Sequence, residues 1–158
     1  MTSIYEDAVT RLAEASGSQI EIGDDRIANI VVEDRVVTLK PADETESALT
    51  AFTIVAQQDD QGPFPPAVLE RALALNLFGA QTDGGHIGLF GGALFLSKTI
   101  AVEGISPEAL AEAFVTLVRL AGEIEGELGG EAPPQDRPEA VTDDMPRFDF
   151  AFGGLILV

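Results

Sequence analysis

The sequence predicts an α+β domain with the element order α-β-β-β-α-β-β-α. Three observations predict it. An apolar stripe at helical spacing opens the chain. Val/Ile-rich runs separated by turn residues follow it. A long second stripe behind a Ser-Pro start closes the series.

The first helix is placed at residues 4–16. Ser3 and Glu6 have the S-x-x-E spacing of a capping box, and Ile4, Ala8, Leu12 and Ala15 recur along one face. Gly17 supplies a stop. Arg26–Val32 and Val36–Lys40 flank the polar triplet Glu33-Asp34-Arg35 and read as a hairpin. Pro41–Ser47 is polar and contains Pro, so it is predicted as a loop. Leu49–Gln57 is predicted as a third strand, with Phe52, Ile54 and Ala56 on one parity.

Asp59-Asp60-Gln61-Gly62-Pro63 is turn chemistry, and Pro65-Pro66 suits a helix start. Ala67–Phe78 follows, apolar on nearly every side and closed by Gly79. A helix of that kind is buried on most sides, and in so small a domain this points to packing between subunits. Ile87–Phe90 and Ala93–Ser97 read as two strands joined at Gly91-Gly92. Ser106, Pro107 and Glu108 open a helix predicted over 107–127. Its stripe is Leu110, Phe114, Leu117, Ala121, Ile124 and Leu128, and Gly129-Gly130 ends it. No internal repeat is present.

The chain then changes character. Residues 1–129 read as the domain and 130–147 as an acidic linker with four prolines. Residues 148–158 read as an apolar, strand-like tail containing Phe148, Phe150, Phe152, Leu155 and Leu157. Exposed, such a tail would invite aggregation.

The 158 residues fit one domain. They carry 27 acids against 9 bases, a net charge of −18, which removes the basic clusters that nucleic acid or an anionic membrane requires. With no cysteine, thiolate chemistry and cysteine-based zinc sites are excluded. The N-terminus lacks a basic n-region and an apolar h-region, and no apolar run nears the roughly 20 residues of a membrane span. A soluble, cytoplasmic protein is expected.

Catalytic chemistry finds little support. Asp24-Asp25, Asp59-Asp60 and Asp143-Asp144 lack calcium-loop spacing and read as solvated turns. His86 has Asp83 and Ser97 nearby in sequence, but nothing resembles a nucleophile elbow, so it reads as structural. Gly92–Thr99 approaches a phosphate-binding loop, yet Ser97 stands where the second Gly is needed and Ala93–Leu96 reads as strand. No metal, cofactor or catalytic residue is assigned. What remains is apolar surface, most of it required for a core.

Ala72-Leu73-Ala74-Leu75-Asn76-Leu77-Phe78-Gly79, the run Thr82-Asp83-Gly84-Gly85-His86-Ile87-Gly88-Leu89, then Leu94-Phe95-Leu96-Ser97 and Leu110–Phe114 together form a recognisable pattern. It resembles the class I type III secretion chaperones of the Tir-chaperone family, with the element order covering about residues 3–128. The resemblance implies a curved antiparallel sheet in a cytoplasmic homodimer. It implies that the dimer binds the N-terminal region of a secreted effector in extended form, without ATP. By position, the dimer interface would use Leu69, Leu73, Leu77 and Phe78 with Leu89 and Phe90, or Leu94 and Phe95. The effector groove would use Ile4, Ala8, Leu12, Ile30, Val32, Leu39, Phe52 and Ile54. An alternative is an interaction or regulatory module of the same fold not tied to secretion. The tail departs from the family. It is expected to pack permanently, to occupy a groove of its own or a neighbouring protomer as an effector would, or to be disordered or a partner's site.

Overall fold

The computed structural model describes residues 3–60, 62–79, 81–129 and 147–148. Residues 130–146 of the proposed linker and the tail residues Phe150, Phe152, Leu155 and Leu157 lie outside the described residues, as do the side chains of Phe78 and Phe148. The elements are α1 (Ile4–Ser16), β1 (Ala28–Val32), β2 (Arg35–Pro41), β3 (Ala48–Gln57), α2 (Pro66–Phe78), β4 (His86–Phe90), β5 (Ala93–Ala101), α3 (Pro107–Glu127) and β6 (Arg147–Phe148).

Local chemistry accounts for most boundaries. At α1, the Ser3 hydroxyl accepts from the Glu6 amide and the Glu6 carboxylate accepts from the Ser3 amide, both at 3.1 Å. This reciprocal cap satisfies two of the amides a helix start leaves orphaned. Gly17 closes the helix at φ 66°. Between β1 and β2 the turn is Glu33-Asp34 alone, at φ 49° and 64°. Positive φ at both positions is a type I′ turn, whose twist suits a two-residue hairpin. Arg35 therefore begins β2 rather than belonging to the turn. Gly91 and Gly92, at φ 57° and 78°, make the same turn between β4 and β5.

The strands lie in the order β4-β5-β3-β2-β1-β6. The first five pair antiparallel, and β6 adds to β1 in parallel. β5 runs four residues beyond the predicted end at Ser97, because Lys98, Thr99, Ile100 and Ala101 pair with the start of β3. A β-bulge falls between Ile54 and Ala56. It breaks the parity expected for β3: Ile54 aligns with Phe95, whereas Ala56 aligns with Leu94 on the opposite face.

One face of the sheet carries the core. Ala28, Ile30 and Val32 of β1, Val37 and Leu39 of β2, and Leu49, Ala51 and Val55 of β3 are buried there, with Leu94, Leu96 and Ile100 of β5. Against them lie Tyr5, Ala8, Val9 and Leu12 of α1 and Leu110, Phe114, Leu117, Ala121 and Ile124 of α3. Each such Leu, Ile or Phe contributes about 1.5–3 kcal/mol on burial. The polar groups inside are partnered. Thr53 donates its hydroxyl to the Val36 carbonyl at 2.8 Å, and the Tyr5 hydroxyl donates to the Leu39 carbonyl at 3.3 Å. Burial pushes the Tyr5 phenol up to about 12, against a smaller opposing pull from the Arg26 charge.

Two arginines tie the layers together. Arg35 donates to the Ile54 carbonyl beside the bulge at 2.7 Å and pairs with Glu125 of α3. Arg26 joins Glu46 and the Ser3 hydroxyl, which fixes the loops beneath the start of α1.

Candidate functional site

The surface is built by what the core leaves over. Among the described residues, five large apolar side chains are exposed, and four of them lie on α2 and β4. These are Leu73 (68%), Leu77 (73%), Leu89 (54%) and Phe90 (80%). Leu73 and Leu77 are one helical turn apart, so they share a face of α2. Among the described side chains of that helix, only Ala72 and Leu75 are buried, with Val68 and Leu69 partly so.

One side chain hydrogen-bonds α2 to β4. Asn76 accepts from the Ile87 amide at 2.7 Å and donates to the Ile87 carbonyl at 2.8 Å. The amide side chain therefore stands in for a neighbouring strand at that point of the sheet edge. Next to it, Gly85 permits a close approach. A Cβ there would sit 2.8 Å from the Ser97 carbonyl oxygen and 2.9 Å from that of Thr82, and both are backbone.

A second apolar surface is the sheet face opposite α1 and α3. Alignment in the ladder places Phe52 with Thr38 and Ser97, and Ile54 with Phe95. Phe52 and Phe95 meet edge to face at 5.9 Å. Val31 and Val36, aligned with each other, share the face with Asn29 and Thr38, whose side chains are bonded at 2.7 Å. All of these residues are half-buried. A third feature is a cavity of about 180 Å³ between the end of β3, the start of α2 and the end of α3. Val55, Phe64, Val68 and Leu128 line it, with Glu125 and Asp59 at its margin.

The residues assigned to a groove divide accordingly. Ala8, Leu12, Ile30, Val32 and Leu39 lie in the core, so they hold α1 and the sheet together and offer nothing to a partner. This corrects the expectation: the stripe that makes a helix amphipathic is the stripe the fold itself consumes. Ile4 is exposed at the outer side of α1, and Phe52 and Ile54 lie on the uncovered sheet face. Of the two interface sets, Leu73, Leu77, Leu89 and Phe90 are exposed and Leu69 is half-buried. Leu94 is buried in the core, so the alternative pairing of Leu94 with Phe95 loses its first member. Val31, Val36 and Asn76 were not singled out by sequence. The signal for Asn76 stood in the motif, but its partner is on another element.

The residues weighed for catalysis are placed apart chemically. Ser97 donates its hydroxyl to the His86 backbone carbonyl at 3.2 Å, not to the imidazole. Asp83 pairs with Lys98, whose hydrogen bond and charge hold that carboxyl below its usual range. Leu94–Ser97 is strand, so the near match to a phosphate-binding loop has no loop to offer. Among the described residues, no group of three or more His, Asp or Glu is arranged to hold a metal ion.

Residues 8–125 match the Tir chaperone protein (CesT) family. The chain belongs to that family. The resemblance to class I type III secretion chaperones read from residues 69–99 is thereby borne out. Solved structures agree on the fold. The Yersinia pestis type III secretion chaperone SycH, in complex with a stable fragment of YscM2, is 22% identical with a TM-score of 0.56, over 76% of this chain and 98% of that one. The HopA1–SchA chaperone–effector complex matches at 17% identity and TM-score 0.62, over 78% and 94% of the two chains. The ExsC–ExsE complex matches at 18% identity and TM-score 0.65, over 80% and 96%. No curated protein matches the chain significantly. No helix among the described residues of this family member is long and apolar enough to cross a membrane.

Proposed function

We propose that this member of the Tir chaperone family is a type III secretion chaperone. It binds the N-terminal segment of a secreted effector in extended form, keeps it from aggregating, and presents it for secretion. It works in the cytoplasm, as a homodimer, by binding alone. The observation that carries this reading is the uncovered sheet face of Val31, Val36, Phe52, Ile54 and Phe95. Apolar side chains on a pleated surface make pockets at alternate spacing, which suits a chain bound as a strand. Two of the similar structures bear on the same role. SycH is a type III secretion chaperone, and HopA1–SchA is a chaperone–effector complex.

The dimer would close over α2 and β4, which carry the exposed Leu73, Leu77, Leu89 and Phe90. Exposed aliphatic and aromatic side chains of that size mark an interaction surface. The net charge of −18 keeps such a protein dispersed while the sheet face is bare.

The test is a tagged pulldown of the full chain from its native cytoplasm, followed by titration of the captured effector's N-terminal segment. Ile54→Asp and Phe95→Asp are expected to weaken that titration by at least about tenfold, since each places an unpaired charge on an apolar contact. Leu77→Asp is expected to leave a folded protein of half the mass in light scattering. Unchanged titration by both sheet-face variants would overturn the assignment of the face. A folded partner bound equally with and without its N-terminus would assign a regulatory module instead.

A further inference from the structure

The charges of this chain are sorted by element. None of its 27 acids falls on the five antiparallel strands, although those strands carry Arg35, Lys40 and Lys98. A one-sided antiparallel sheet ordinarily turns polar and charged side chains to water. Here the outward side chains of β2 and β3 include Val36, Thr38, Lys40, Thr50, Phe52 and Ile54, with one charge among them. Two of the three strand cations are engaged. Arg35 is tied to Glu125 of α3 and to the Ile54 carbonyl, and Lys98 to Asp83. Lys40 is exposed, as are Glu33 and Asp34 in the β1–β2 turn. Among the described residues, none of these three makes an ion pair.

Lys40 and the turn stand at opposite ends of β2, about 20 Å apart at the rise of a strand. Two outward rows lie between them. Thr38 is beside Phe52 in the first, and Val36 and Ile54 follow in the second. Read along β2 and β3, the face therefore offers a cation, two apolar footholds and then a pair of acids.

We propose that this face receives an extended segment of about seven residues with the complementary charge order. The segment carries an acid opposite Lys40, apolar side chains two and four residues on, and a base two residues further, opposite Glu33 and Asp34. The inference rests on the sheet face as the peptide site, proposed above, and adds the chemistry of the partner. A strand alternates with a period of two, so a slip of one residue turns both anchors away from the face. A slip of two keeps an anchor on the face but leaves Lys40 unmatched. Exposed ion pairs add little affinity, yet they fix register and exclude segments of the wrong charge order.

The probe is a capped synthetic heptapeptide with glutamate first, isoleucine third and fifth, lysine seventh and serine between. It is titrated into the full chain and followed by NMR amide shifts. Its net charge is zero, so the −18 of the chain exerts no general attraction on it. Shifts are expected at Phe52, Ile54 and Phe95, and Ile54→Asp is expected to weaken binding at least about tenfold. Lys40→Gln, and Glu33→Asn combined with Asp34→Gly, are each expected to weaken it about two- to fivefold at low salt. The loss should vanish near about 1 M salt, where charges are screened within about 3 Å. Asn-Gly is the pair a type I′ turn prefers, so the double variant keeps its hairpin. A second peptide of equal composition places the two charges at the second and sixth positions, facing away from the sheet. It is expected to bind more weakly and to be indifferent to Lys40→Gln. Equal binding of the two peptides, or charge variants that bind as the parent does, would overturn the charge order. If Ile54→Asp still weakens binding in that case, the sheet face stands as the peptide site. Binding that Ile54→Asp leaves untouched, or no shift on the face at all, would sink both. Face shifts that appear on concentrating the protein alone would give the face to a second copy and overturn the proposal as well.

Discussion

Replacing Asn76 tests how the α2–β4 surface is held. Its side chain makes two bonds, at 2.7 and 2.8 Å, to the amide and carbonyl of Ile87. Asn76 is half-buried and Ile87 buried, so water is a poor substitute. In Asn76→Ala both backbone groups lose their partner. Removing one partner from a buried group costs about 1–3 kcal/mol, so about 2 kcal/mol is the central expectation. For a chain of this size that is a Tm lower by roughly 4–8 °C. Circular dichroism at fixed protein concentration measures it, because self-association would otherwise shift the midpoint. Asn76→Asp sharpens the test. It keeps the acceptor for the Ile87 amide but sets a carboxylate against the Ile87 carbonyl, so its cost should equal or exceed that of alanine. A Tm for Asn76→Ala within about 1 °C of the parent would refute the reasoning. So would an aspartate variant as stable as the parent.

Three further outcomes follow from the same geometry. Tyr5 is the chain's sole tyrosine and there is no tryptophan, so absorbance at the phenolate band reports it directly. With its pKa raised from 10.0 to about 12, the native state holds the proton longer than the unfolded state. Stability from this group is intact below pH 10 and lost as pH rises from 10 to 12, a total of roughly 2–3 kcal/mol; ionisation of the native protein near pH 10 would contradict it. Leu12→Ala should cost about 2–5 kcal/mol in urea unfolding, because Leu12 is fully buried in the core; a cost under about 1 kcal/mol would return it to the surface. Gly85→Ala forces a Cβ against two carbonyl oxygens at 2.8 and 2.9 Å, and should lower the urea midpoint where Gly88→Ala, with open space around it, does so less; equal effects would show that the strand shifts freely.

What was legible in the sequence was local. The cap at Ser3 and Glu6, the proline starts of α2 and α3, and the Gly91-Gly92 turn are each decided by a few neighbouring residues, and each appears where the spacing puts it. The apolar character of α2 leaves Leu73 and Leu77 bare in the single chain. The losses were non-local. Alternation in a strand says that two faces differ, not which one meets a helix, so Ile30, Val32 and Leu39 were placed in a groove when they belong to the core. Lys98-Thr99 does not look like strand, yet β3 recruits it as a partner. The bond from Asn76 crosses eleven residues and two element types, and no periodicity reports it.

The bulge in β3 sets a length. Before it, even-numbered positions look out from the helices; after it, Ala56 turns inward with Leu94 and Gln57 takes the outer place. A side chain travelling along β3 thus finds an apolar floor under Phe52 and Ile54, a span of about 7 Å, and then a polar step. The backbone, by one inserted residue, rations that strand to two adjoining footholds. A visitor anchored there is measured by residue spacing before its composition is read.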